Sequence, residues 1–205
     1  MTKNKQMYAL GDSHSGTLHP WCEAINFGAE TIHRLTVGKV DGHFSLFVHG
    51  GKLSRQALWV FCFGEIDIRC SVHKQIHDKG RNEDEVLTTL VDKYLAKINL
   101  LHLDIAVMSV VPPCYYDNRK TEVDADPASL IYQIVGSDQD RSRYTRKLND
   151  YMESQCANKG IPYLDIYGLY RDENGMLPID VSDGNVHISN RAKVETFLKS
   201  IDLIP

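Results

Sequence analysis

The chain alternates short apolar runs with stretches in which apolar residues recur every three or four positions. The runs are Met7 to Leu10, Ala57 to Phe63, Asp104 to Val111 and Ile161 to Ile166. Apolar runs without polar alternation suit strands covered on both faces, as in parallel sheets. Thr31 to Val37 is a weaker strand candidate, interrupted by His33 and Arg34. Asn82 and Glu85 form a capping pair, and Val86, Leu87, Leu90, Val91, Tyr94, Leu95 and Ile98 follow at helical spacing. A second helix is predicted from near Asp138, with Tyr144, Leu148, Tyr151, Met152 and Cys156 on one face and a stop at Lys159-Gly160. A third runs from about Ser189 through Ala192, Val194, Phe197, Leu198 and Ile201. Strands alternating with helices predict an α/β chain: a parallel sheet inside a three-layer α/β/α sandwich. Asp117 to Asp138 shows no period and reads as a loop with some local structure.

Composition narrows the class. The 205 residues fit one domain, 1–205, with no repeat and no linker. A net charge of -4 gives no reason to expect nucleic acid or an anionic membrane surface as partner. The first apolar stretch stops at Leu10, too short for a signal-peptide core, and no run is long enough to span a bilayer. Five scattered cysteines, an odd number, read as free thiols, so the chain is expected in the cytoplasm.

The candidate chemistry starts at Gly11-Asp12-Ser13-His14-Ser15, directly after the first apolar run. A turn there lifts the Ser13 hydroxyl to the carboxyl end of the sheet, where open parallel sheets place their ligands. A serine hydroxyl is a poor nucleophile until a base lies within hydrogen-bond reach and an acid orients that base. Asp183-Gly184-Asn185-Val186-His187 supplies both near the other end of the chain. The expected catalytic set is Ser13, His187 and Asp183, with Asp180 as the reserve acid. Asp183 and His187, four apart, would share a face on one helical turn.

The combination resembles the SGNH (GDSL-type) hydrolases, in which the nucleophile follows the first strand in a Gly-Asp-Ser block and a late Asp-x-x-His block supplies acid and base. Gly11-Asp12-Ser13 matches the first block; Asp183 to His187 is one residue longer than the late block. The resemblance implies a flavodoxin-like, five-stranded, mainly parallel sheet and ester hydrolysis or acyl transfer through an acyl-enzyme at Ser13, with no cofactor. It implies an acylated small molecule or saccharide as substrate. The family's Gly-x-Asn-Asp block corresponds to Gly64-Glu65-Ile66-Asp67, so Ile66 stands where the asparagine that helps hold the oxyanion belongs. Losing one such donor costs roughly 3 kcal/mol of transition-state stabilisation. The expected oxyanion and substrate-binding residues are Gly38, which would follow the second strand, with Gly64, Glu65, Asp67 and Arg69. Gly50-Gly51 competes with Gly38.

Three further clusters have plainer readings beside sharper ones. Arg69 either pairs with Glu65 or Asp67 or grips an anionic substrate group. Arg141, Arg143, Arg146 and Lys147 read as a solvated helix face, with an anionic sugar or nucleotide-linked donor as the lesser option. His14, His43, His49, His73, His77 and His102 read as scattered, since Cys70-x-x-His73 lacks the second compact pair of a structural zinc site; no metal is expected. Tyr115-Tyr116 suit either stacking on a sugar or loop packing. Two other functions compete with the hydrolase. One is a binding protein that kept the fold and lost the chemistry, supported by Ile66. The other is a metallophosphoesterase opened by Asp12-Ser13-His14, for which the further ligand blocks are absent in order.

Overall fold

The computed structural model describes residues 5–39, 56–116 and 133–204. Gly50-Gly51, His43, His49 and most of the unpatterned stretch after Tyr116 lie outside them. Five strands form one sheet: β1 (Met7–Gly11), β2 (Glu23–Asn26), β3 (Leu58–Cys62), β4 (Asp104–Met108) and β5 (Tyr163–Leu164). The order is β2-β1-β3-β4-β5 and every pairing is parallel.

Strand periodicity sends alternate side chains to opposite faces, and both faces are apolar. Along β3, Trp59 and Phe61 enter one core, while Leu58, Val60 and Cys62 enter the other. Along β4, Ile105 and Val107 face the first, Ala106 and Met108 the second. Tyr8 and Trp59, opposite each other on β1 and β3, stack at 4.5 Å between centroids. The first core is closed by α1 (Ile32–Thr36), α3 (Glu83–Asn99) and α4 (Asp138–Lys159), through Ile32, Val91, Leu95, Leu148 and Met152. The second is closed by a 3-10 turn (Ser13–Leu18), α5 (Ile166–Tyr170) and α6 (Ala192–Ser200), through Leu18, Ile166, Val194 and Leu198. Helices on both faces of a parallel sheet make the three-layer sandwich. Each fully buried side chain of this kind contributes roughly 1.5–3 kcal/mol of hydrophobic stabilisation.

Capping fixes the helix ends. The Asn82 side chain accepts from the amide of Glu85 at the start of α3. Ser137 and Asp140 form a reciprocal capping box at the start of α4, and Gly160 ends that helix in the left-handed conformation. Asp165 ends β5 early, because its side chain accepts from the Gly168 amide and caps α5. The last helix starts at Ala192 rather than near Ser189, whose hydroxyl is engaged by the carbonyls of Val181 and Ser182.

One expected strand is corrected. Thr31 to Val37 is not a strand: Thr31 caps the helix α1, accepting from the Arg34 amide, and the Asp67 carboxylate accepts from the amides of Ile32 and His33. The second strand is Glu23–Asn26, at the sheet edge. A helical segment also follows β3 after Phe63 and Gly64. It comprises Glu65–Asp67, a π-helical stretch Ile68–Val72, and His73–His77, and is called α2 here.

Candidate active site

The carboxyl end of β1 delivers Ser13. Gly11 is the last residue of β1, and a Cβ there would lie 1.9 Å from the Cys62 carbonyl oxygen of β3. Asp12 then caps the 3-10 turn by accepting from the His14 amide at 2.8 Å. Ser13 opens that turn half-buried, while Asp12 and His14 on either side are buried.

His187 reaches the same point from the loop before α6. Its Nε2 lies 2.9 Å from Ser13 Oγ, and its Nδ1 lies 2.9 Å from Asp183 Oδ2. The carboxylate on His187 is thus that of Asp183, not Asp180, which sits in the short 3-10 turn Ile179–Val181. Asp183 and His187 do not share a helical turn. The Asp183 amide donates to the His187 carbonyl at 3.0 Å, and Asp183 Oδ1 accepts from the amides of Asn185 and His187. Gly184 turns the chain with a φ of 83°. This side-chain-closed turn absorbs the extra residue of the late block. Partial burial raises the Asp183 pKa, but the hydrogen bond from His187 and the two amides outweigh it, so the carboxyl sits below its ordinary range. Asp183 is therefore held in its ionised form beside His187.

Beneath this array lies a row of buried charges. The His14 ring packs 4.9 Å from that of His187. His14 Nε2 lies 3.3 Å from Glu65 Oε2, and Glu65 Oε1 accepts from Arg69 Nε at 2.7 Å. Burial works against ionisation of Glu65, but the Arg69 charge and His14 hold its pKa down at about 2. Burial lowers the His14 pKa, and Glu65 with Asp12 more than reverses this. Burial pushes Asp12 up to about 6 and Asp67 up to about 7.

The other sequence-predicted site residues occupy distinct places. Glu65 and Arg69 pair with each other on α2. Asp67 holds the start of α1. Gly64 has a φ of 120°, and a Cβ there would meet Val110 Cγ2 at 2.6 Å. Gly38 follows α1 rather than the second strand, and its amide donates to the Leu35 carbonyl. The glycine that follows β2 is Gly28, with its amide on Asn26 Oδ1 and the neighbouring Phe27 amide on the Gly11 carbonyl. Ile66 is buried. Arg141 is not on a solvated face: it is buried and donates to the carbonyls of Gly136 and Cys114 and to Asp138. Arg143 and Lys147 tie α4 to Glu83 and Asp84 at the start of α3. The Tyr115 hydroxyl donates to Asp172. His14, read from the sequence as a scattered histidine or a metal ligand, instead packs beside His187, a place the sequence does not show.

Comparison with known proteins joins the site to a fold. A GDSL-like lipase from Bacteroides thetaiotaomicron superposes with a TM-score of 0.58 at 13% identity, covering 98% of this chain and 91% of that one. The fold is that of the GDSL hydrolases. An α/β hydrolase enzyme from the metagenome of Lake Arreo, Spain, superposes with a TM-score of 0.54 at 13% identity, covering 100% of this chain and 98% of the other. No protein-family model matches the sequence, and no curated protein sequence matches it. No helix among the described residues is long and apolar enough to cross a membrane.

The buried carboxyls make stability depend on pH. Folded Asp67 keeps its proton up to about pH 7, whereas the unfolded chain releases it near the ordinary aspartate value of 3.8. The folded state therefore binds more protons between those values, and stability falls as pH rises through them. Asp12 and His14, also raised, act in the same direction. One such proton corresponds to a slope of about 1.4 kcal/mol per pH unit. The urea midpoint is expected to be lower at pH 8 than at pH 5, with a smaller drop in Asp67→Asn. Equal drops in the two proteins would remove Asp67 as a source of the slope.

Proposed function

We propose that this chain is a serine-dependent ester hydrolase. The observation that carries the reading is the continuous hydrogen-bonded line from Asp183 through His187 to Ser13 Oγ, with both contacts to the imidazole at 2.9 Å. Ser13 Oγ attacks the ester carbonyl carbon as its proton passes to His187 Nε2. The tetrahedral intermediate collapses with the C–O bond of the leaving alcohol breaking, and His187 returns the proton to that oxygen. Water then attacks the acyl-Ser13 ester with His187 again as base, and the acid leaves as Ser13 recovers its proton. Asp183 stays ionised, holding the ring with Nδ1 protonated and Nε2 free to accept. The side chains of His187 and Asp183 are 37% and 38% exposed, so water can reach the base.

Ile66 offers no donor to the oxyanion, so backbone amides carry that task. The Ser13 amide opens a 3-10 turn, where first-turn N–H groups have no partner within the helix. A site short of one side-chain donor is expected to be slower than a complete one by about a hundredfold or more. The substrate is proposed to be an acylated small molecule or saccharide.

Turnover of short-chain p-nitrophenyl esters by the whole chain tests the reading. Wild type is expected to hydrolyse them, and Asp183→Asn, which favours the wrong imidazole tautomer, to lose about 10²–10⁴-fold in kcat. Equal turnover in the two proteins would show that Asp183 plays no part.

A further inference from the structure

We propose that His73, His77 and Asp140 bind a divalent transition-metal ion of the zinc class, which clips α2 to α4 away from the ester chemistry. The three lie on two elements far apart in sequence, and their ligand atoms all fall within 4.8 Å of one another. His73 and His77, four apart on His73–His77, share a helix face with their rings stacked at 4.1 Å. Asp140 comes from the first turn of α4, with Oδ2 3.8 Å from His73 Nδ1.

The two imidazoles already converge on one point. The Tyr144 hydroxyl oxygen lies 3.2 Å from His73 Nδ1 and 3.4 Å from His77 Nε2. Ligands at 2.0–2.1 Å around a tetrahedral ion are separated by about 3.4 Å, so a modest rotation of the His77, His73 and Asp140 side chains closes the set. The Tyr144 hydroxyl can donate to one of these nitrogens and accept from the N–H of the other, whereas a cation would take lone pairs from both. His77 is exposed and His73 half-buried, leaving the rings room to adjust.

The framework around the cluster is built closely. Gly136 packs against His73 so tightly that a Cβ would lie 2.7 Å from its Nδ1, and its φ is +78°. The neighbouring Val135 amide donates to the Arg69 carbonyl of α2 at 2.9 Å. To admit the ion the Ser137 hydroxyl hydrogen would turn off Oδ2, while its oxygen keeps the Asp140 amide and the Ser137 amide stays on Oδ2. Arg143 sits on the other oxygen, Oδ1, at 2.8 Å, with its charge offset by Glu83. Two imidazoles and a carboxylate suit zinc, with water in the fourth position. Cys70, the ligand that sequence spacing suggests, is buried and outside the group.

Zinc titration of the untagged, chelator-treated chain, by calorimetry and thermal melting, tests the proposal. Wild type is expected to bind one equivalent and melt higher by about 5 °C or more in excess zinc. His77→Gln changes an exposed side chain and is expected to weaken zinc binding at least tenfold, while His187→Gln retains it. The absence of zinc binding by folded wild type, or equal affinity in His77→Gln, would overturn the proposal. Neither readout depends on ester turnover, so this site and the hydrolase reading fail or stand separately.

Discussion

Alanine at Ser13 or at His187 is expected to lower ester turnover by about 10⁴-fold or more, and the double variant is expected to lose scarcely more than either single one. The reason lies in the line of contacts. The Ser13 hydroxyl without its base keeps its proton, and the base without its hydroxyl has nothing to activate. His187 Nε2 and Ser13 Oγ, 2.9 Å apart, act as one unit, and units of this kind are not additive. Folding is expected to survive both changes, because Ser13 and His187 are only half-buried and lie outside the two apolar cores. Kinetics on the three variants, with circular dichroism as the folding check, decides it. Additive losses would mean that the two residues act through separate steps.

The second large effect concerns the backbone that presents the serine. Gly11→Ala is expected to destabilise the chain by on the order of 4 kcal/mol, at the upper end for a single substitution. The new Cβ would sit 1.9 Å from the Cys62 carbonyl oxygen. That oxygen is backbone in β3, and it accepts from the Asp12 amide, so no rotamer change relieves the clash. β1 and β3 would have to part at the centre of the sheet. A urea unfolding curve close to wild type would show that the strands give way more cheaply than this packing implies. The glycine of Gly-Asp-Ser is thus needed for close approach between strands, one residue ahead of the buried capping Asp12 and two ahead of the proposed nucleophile.

The parts of the fold legible in the sequence are those whose signal is local. β3 and β4 are continuous apolar runs because both of their faces are covered, and α3 and α4 combine helical spacing with side-chain caps. β2 was not legible. Glu23-Ala24-Ile25-Asn26 is a four-residue edge strand, polar at both ends, that pairs only with β1. α1 misleads for a related reason. Thr31, Ile32, Thr36 and Val37 are β-branched and favour a strand, but the helix start is held by Asp67, 35 residues beyond Ile32 in sequence. With β2 misplaced, Gly38 stood in for Gly28 as the glycine following the second strand.

The candidate site divides the same way. Ser13, Asp183 and His187 stand out in the sequence because each lies in a compact block, and the structure brings their side chains together. The charged row beneath them does not stand out. That Glu65 joins Arg69 to His14, and that the His14 ring lies against His187, depends on how α2 packs under the first turn after β1. Arg141 belongs to the same class: a basic run reads as surface until the carbonyls of Gly136 and Cys114 are seen to surround its guanidinium.

The central claim is that Ser13 is an activated nucleophile. Its most direct test is reaction of the intact chain with a fluorophosphonate, read by mass spectrometry of protein and peptides. The account predicts a single adduct on Ser13 in wild type, none in Ser13→Ala, and greatly slowed labelling in His187→Ala. A folded wild-type protein that takes up no probe, or an adduct that persists in Ser13→Ala, would contradict it.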